Sequence, residues 1–112
     1  MAINIAKLID PKYAENAQTT QYTSPSLSTT IIDKFTATNI SASAASISVN
    51  LVTSGDIAGT ANKITDTRVI ASGETYTFPE LIGQVLQAGD FISTIASAAS
   101  AIVITAGGRI II

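Results

Sequence analysis

The chain contains no cysteine, no histidine and no tryptophan. Without cysteine no disulfide can staple the fold. Without cysteine or histidine, zinc, haem and iron–sulfur centres lose their usual ligands. Histidine is also the commonest base that activates a serine nucleophile, and no serine here sits in a G-x-S-x-G elbow. The carboxylates of Asp33, Asp56, Asp66, Glu74, Glu80 and Asp90 are dispersed, so their spacing signals no acid–base pair. Ser54-Gly55-Asp56 with Gly59 matches neither a phosphate loop nor a calcium loop. The expectation is a protein that is not an enzyme and holds no cofactor or metal.

Charge is also scarce. Charged residues make up 12% of the 112 positions, with a net charge of −2. The basic residues Lys7, Lys12, Lys34, Lys63, Arg68 and Arg109 form no cluster. Nucleic-acid binding needs many such contacts to phosphate, so no nucleic-acid partner is expected. A surface poor in charge and rich in Ser and Thr suits contact with protein, because little charge must be desolvated there.

Long apolar runs are missing. The longest charge-free apolar stretch of interest, Phe91–Ala106, spans sixteen residues, whereas a membrane helix needs about twenty. Its Ser, Thr and β-branched content also argues against a span. MAINIAKLID lacks the basic start and apolar run of a signal peptide. Neither membrane insertion nor a secretory leader is expected. Asn39-Ile40-Ser41 matches a glycosylation sequon, with no secretory signal to give it meaning.

What is present is strand signal. Residues 1–26 are polar and without sustained period, and read as an extended N-terminal arm. Asp10 and Pro11 would allow one helical turn over Pro11–Ala17. From Leu27 onward the pattern changes. Ser28–Asn39 is rich in Thr and Ile, with Ile31, Ile32 and Phe35 as core candidates. Ile47, Val49 and Leu51 alternate with Ser48, Asn50 and Val52, a strand period of two. Thr53–Lys63 reads as a loop. Thr67–Ala71 and Glu74–Phe78 read as short strands. Pro79–Leu86 reads as the one helix, with Leu81, Ile82, Val85 and Leu86 on a shared face and Gly89 as its stop. Asp90–Ile95 and Ala101–Thr105 are strands, Ala106-Gly107-Gly108 a break, and Arg109–Ile112 a last apolar strand.

The tetrapeptide SAAS occurs twice, at Ser43–Ser46 and Ser97–Ser100. Each copy joins two strand signals, and each is expected to form the tip of a β-hairpin. The predicted fold is all-β: a small β-sandwich, jelly-roll-like in first preference and immunoglobulin-like in second. One short helix and an N-terminal arm (1–26) accompany a sandwich domain (27–112).

TNISASAASISVNLV, AGTANKI, RVIASGETYTFPELIGQVLQAGDFIST and ASAASAIVIT together resemble the head decoration, or cement, proteins of tailed bacteriophages. The resemblance covers about two thirds of the chain and is most specific in SGETYTFPELIGQVLQAGDFIS. It implies a β-sandwich on the outer face of a capsid, partnered by the major capsid protein and by a second copy in a dimer. The location would be the virion surface, after synthesis in the bacterial host cytoplasm. No catalytic or metal residue comes with it. A neck, tail or fibre position, or a carbohydrate-binding appendage, is the alternative. The candidate partner-binding residues are apolar ones near the two termini: Ile3, Ile5, Leu8, Tyr13 and Tyr22, with Ile110, Ile111 and Ile112.

Overall fold

The computed structural model describes residues 2–112. Nine strands run in chain order among them: β1 Ile3–Tyr13, β2 Thr19–Thr23, β3 Thr29–Asn39, β4 Ala45–Val52, β5 Lys63–Ile70, β6 Thr75–Tyr76, β7 Val85–Leu86, β8 Phe91–Ala96 and β9 Ile102–Ile111. One sheet, here sheet A, has the order β1-β9-β3-β6, with β7 also paired to β3. The other, sheet B, has the order β2-β8-β4-β5. All pairings are antiparallel. Except at β4–β5 and β6–β7, successive strands lie in opposite sheets, the Greek-key winding of a jelly roll. The sandwich expected from the sequence is therefore present, in its first-preference topology.

The alternation in β4 works as its sequence indicates. Ile47 and Val49 lie in the core, and Leu51 packs against it. Opposite them, Ile32, Phe35, Ala37, Ile102 and Ile104 face inward from sheet A. Phe35, Phe78 and Tyr76 meet edge to face, with ring centroids 4.8 and 4.6 Å apart. Edge-to-face packing suits the aromatic quadrupole.

Several expectations are corrected. The first 26 residues are not an arm separate from a domain. β1 and β2 supply one edge strand to each sheet, and Leu8, Ile9 and Ala14 are buried. The sequence hid this because β1 shifts register between Lys7 and Ile9 and again between Ile9 and Lys12. Each bulge breaks the period of two, which lets neighbouring Leu8 and Ile9 both point inward. Pro11 is tolerated because the strand lies at an edge. No helical turn forms at Pro11–Ala17, since the strand continues to Tyr13.

Pro79–Leu86 is not a helix. Two tight turns form instead, closed by Leu81 N–H to Phe78 O at 3.0 Å and Gln84 N–H to Leu81 O at 3.1 Å. The backbone then docks on β3, with Gly83 N–H on Ile32 O at 2.7 Å and Ile32 N–H on Gln84 O at 3.0 Å. The edge of β3 offered backbone partners that a helix could not use. Leu81 and Leu86 are buried, whereas Ile82 and Val85 are 44% and 48% exposed, so the four do not share one face. Within the described residues the helical content is a 3₁₀ turn at Thr60–Asn62.

The break at Ala106–Gly108 is absent, because β9 runs through it without interruption. Gly108 is required there by close approach. A Cβ on it would lie 2.1 Å from the Ile31 carbonyl oxygen and 2.9 Å from Leu8 Cδ1. The SAAS segments are not hairpin tips but crossovers between sheets. The first leads from β3 to β4 and the second from β8 to β9. They lie side by side: Ser97 N–H donates to Ser46 O and Ser46 N–H to Ser97 Oγ, both at 2.9 Å. The sequon is closed, since Asn39 is buried and its amide donates to Ser43 O at 2.9 Å and Ile70 O at 2.8 Å.

Candidate interaction surface

Both lateral openings of the sandwich are closed by polar side chains. On the β1–β2 side, Lys12 Nζ donates to Glu15 Oε2 and Gln21 Oε1, both at 2.8 Å. Gln21 Nε2 then donates to Glu15 Oε1 at 2.8 Å and Thr94 Oγ1 at 3.0 Å. Lys12 and Gln21 together hold the Glu15 carboxyl below its ordinary range. On the β5–β6 side, Glu80 accepts from Thr65 Oγ1 of sheet B and from Tyr76 OH of sheet A at 2.7 Å. The Arg68 guanidinium lies over the Tyr76 ring, 4.1 Å from its centroid, a cation–π contact. Burial pushes the Glu80 carboxyl up, but the two hydroxyls and Arg68 outweigh it, and the net direction is down. Each clasp ties one sheet to the other.

The two outer faces differ. On sheet B the outward residues Ser48, Asn50, Val52 and Ser93 are buried, whereas Ser46, Phe91 and Ile95 are half-buried and Val69 is exposed, so the cover is partial. The roof is the chain itself. Gln18 Nε2 reaches Ser93 Oγ at 2.7 Å and Asn50 Oδ1 at 3.4 Å. Asn50 Nδ2 donates to Gly59 O at 2.9 Å and Asn62 Oδ1 at 2.7 Å. The β4–β5 loop thus lies over part of this face, and no buried side-chain polar atom lacks a partner among the described residues.

On sheet A no outward residue is buried. One half of that face carries hydroxyls: Thr36, Thr38, Thr75 and Thr105, with Thr38 and Thr75 bonded at 2.8 Å. The half near the chain termini carries exposed aliphatic side chains interleaved with charged ones. The register sets Ile3 beside Ile111, and Ile5 in a row with Arg109, Ile31 and Val85. Arg109 grips Asp33 bidentately, Nη2 to Oδ1 at 2.8 Å and Nε to Oδ2 at 3.0 Å. Lys7 and Lys34 flank Gly107 in the next row. Arg109 and its ion pair stand between Ile5 and Ile31, and exposed aliphatic groups set among polar ones are a usual mark of a protein-contact surface.

The sequence-predicted contact residues divide on this geometry. Ile3, Ile5 and Ile111 come together on the outer face of sheet A, with Ile3 59% and Ile5 90% exposed. Ile112 follows at the same end, exposed. Tyr13 is exposed at the far end of β1, opposite Val103, outside the patch. Leu8, Tyr22 and Ile110 are corrected. Leu8 is buried in the core, and Tyr22 and Ile110 pack against it. Tyr22 OH is further engaged with Thr30 Oγ1 at 2.9 Å. Sequence reasoning missed Ile31 and Val85. Ile31 was read as core, yet Ile31 and Ile32 are neighbours in a strand, so one of them must face outward. Val85 was hidden by the helical reading.

No cluster of metal-ligating side chains occurs among the described residues. Among the described residues no helix is long and apolar enough to cross a membrane. Of the aromatic residues, Phe35 and Phe78 are in the core, Tyr76 packs against it, and Tyr13 is exposed.

No protein-family model matches the chain, and no curated protein sequence does. Among solved structures, the fold is similar to a chain from work describing Bacillus endospore appendages as a family of disulfide-linked pili. The two share 15% identity with a TM-score of 0.51, covering 97% of this chain and 87% of that one. At this identity the likeness is one of fold.

Proposed function

We propose that the chain is a virion structural protein that binds the outer surface of a bacteriophage capsid and clamps neighbouring capsomers. The observation that carries this reading is the asymmetry of the outer faces. Part of sheet B is roofed by the chain's own loops, whereas the outer face of sheet A is open and carries exposed isoleucines around the Arg109–Asp33 ion pair. Exposed aliphatic side chains beside an ion pair that is already matched suit contact with protein. The partner in this reading is the major capsid protein, which is what the resemblance of the central sequence to head decoration proteins implies. Clamping follows from linkage. A ligand that binds only the assembled shell stabilises it by about 2.7 kcal/mol per site at a hundredfold excess over Kd.

The test is the heat tolerance of genome-filled particles with and without the protein, and with an Ile31→Ser/Val85→Ser variant. Particles carrying the native chain should survive higher temperature, and the variant should bind shells more weakly. Equal tolerance, with and without the protein, overturns the clamp.

The fold likeness to a pilus chain favours a second reading, a repeating unit of a surface fibre. This chain has no cysteine, so any such fibre would be held without disulfides. Electron microscopy of the concentrated pure protein separates the two: filaments favour the fibre and discrete particles the clamp.

A further inference from the structure

Sheet edges offer unpaired backbone groups, and folded proteins protect them with bulges, proline, charge or shortness. Most edges here are protected. β2 is five residues long and shifts register between Thr20 and Tyr22. β5 carries Lys63, Asp66 and Arg68, and at Thr67 its backbone takes φ 47°. β6 and β7 are two residues each. The second half of β1 holds both register shifts and Pro11. The first half, Ile3–Lys7, has no such device until the Lys7 charge at its end.

The direction of its backbone groups follows from the ladder. Ala2 and Ile112 exchange both hydrogen bonds, Ala2 N–H to Ile112 O at 3.2 Å and Ile112 N–H to Ala2 O at 2.9 Å. Bonded and non-bonded pairs alternate in an antiparallel ladder. Asn4 and Ala6 therefore turn their groups toward β9. Ile3, Ile5 and Lys7 turn theirs outward, to the open edge.

We propose that Ile3–Lys7 pairs antiparallel with the same segment of a second copy, about a two-fold axis at Ile5, joining the two A sheets into one. The segment is self-complementary in that register. Ile5 exchanges both bonds with Ile5 of the other copy, and Ile3 with Lys7, so every outward group finds a partner. An isologous contact of this kind is the common basis of two-fold dimers. The charges agree: each Lys7 lies beside an isoleucine rather than the other lysine, and Arg109 is already matched by Asp33. Ile5, 90% exposed in the single chain, packs against its counterpart. The Ile5 rows of both copies then run on as one row across the joined sheet. This inference stands apart from the capsid reading, since it concerns only two copies of the chain.

Cross-linking tests the register. In a two-fold pair centred on Ile5, Asn4 faces Ala6 of the other copy at a non-bonded position. There the Cα atoms approach to about 4.5 Å, within disulfide range. The native chain has no cysteine to interfere. Mixing Asn4→Cys with Ala6→Cys protein should give an oxidised heterodimer, and neither variant alone should link. Linking by one variant alone, or none in the mixture, overturns the register. Sedimentation tests the edge itself. Ile5→Pro removes an N–H that the single chain does not use, so its circular dichroism should be unchanged. Its dimer dissociation constant should rise at least about tenfold. A native chain that stays monomeric at its highest soluble concentration, or a proline variant that dimerises as tightly, overturns the proposal.

Discussion

Sheets A and B are built from similar residues, yet one outer face is partly roofed and the other bare. The difference lies in what lies over each face, not in the strands. Sheet B has Gln18 and the β4–β5 loop above it, and Asn50 and Ser93 are buried as a result. Sheet A has nothing above Ile31, Thr36 or Thr105, and none of them is buried. Burial on an outer face is therefore a property of the loops. Polar residues under a roof must find partners, because an unpaired buried polar group costs about 1–3 kcal/mol. Those on an open face can use water.

The largest expected effect comes from the place where sheet A is tightest. Gly108→Val should cost about 3 kcal/mol, because a Cβ there meets the Ile31 carbonyl and Leu8. Thermal melting measures it, and a loss below about 1 kcal/mol would show that β3 and β9 can move apart cheaply.

The next effect contrasts the two faces directly. Asn50→Ala should cost about 2 kcal/mol, since the buried Asn50 amide makes the bonds that hold Gly59 and Asn62 of the loop over this face. Thr36→Ala on the bare face should change stability by no more than about 0.5 kcal/mol. Denaturant titration of both variants decides it, and equal costs would dissolve the distinction between the faces.

The smallest effect tests the clasps between the sheets. Both Glu15 and Glu80 titrate below their ordinary value of 4.5 in the folded chain. A carboxyl lowered by folding contributes stability above its unfolded pKa and loses it as pH falls through the folded one. The melting temperature should therefore hold level from neutral pH down to the unfolded carboxyl value and fall below it. Glu80→Gln should flatten part of that fall. An unchanged acid limb in the variant would show that Glu80 contributes little to it. Glu15 is largely exposed to solvent, so screening reduces its share.

How much of this was legible depended on whether local period survived. β4 was readable because Ile47, Val49 and Leu51 keep phase through the whole strand. β8 was readable from its β-branched content and its bounding Asp90 and small-residue segment, not from alternation. β1 was not, because two bulges shift the phase within eleven residues. Pro79–Leu86 misled because its apolar spacing suits a helix, and only the free edge of β3 made turns preferable. Of the contact surface, Ile3, Ile5 and Ile111 were visible as apolar residues near chain ends. Ile31 and Val85 were not, because their neighbours in the row belong to distant parts of the sequence.

The amino-acid sequence by itself determined the chemistry the protein lacks and the strand habit of its β-branched segments. It also determined that small residues join the strands at both SAAS positions. Those properties are local, written in side-chain type and in a period of two. Only the tertiary structure decided that the two SAAS segments cross between sheets and touch each other. It also decided that the first residues are edge strands and that one outer face is left open. Strand pairing joins residues far apart in the chain, and no local pattern records which edge a strand will find.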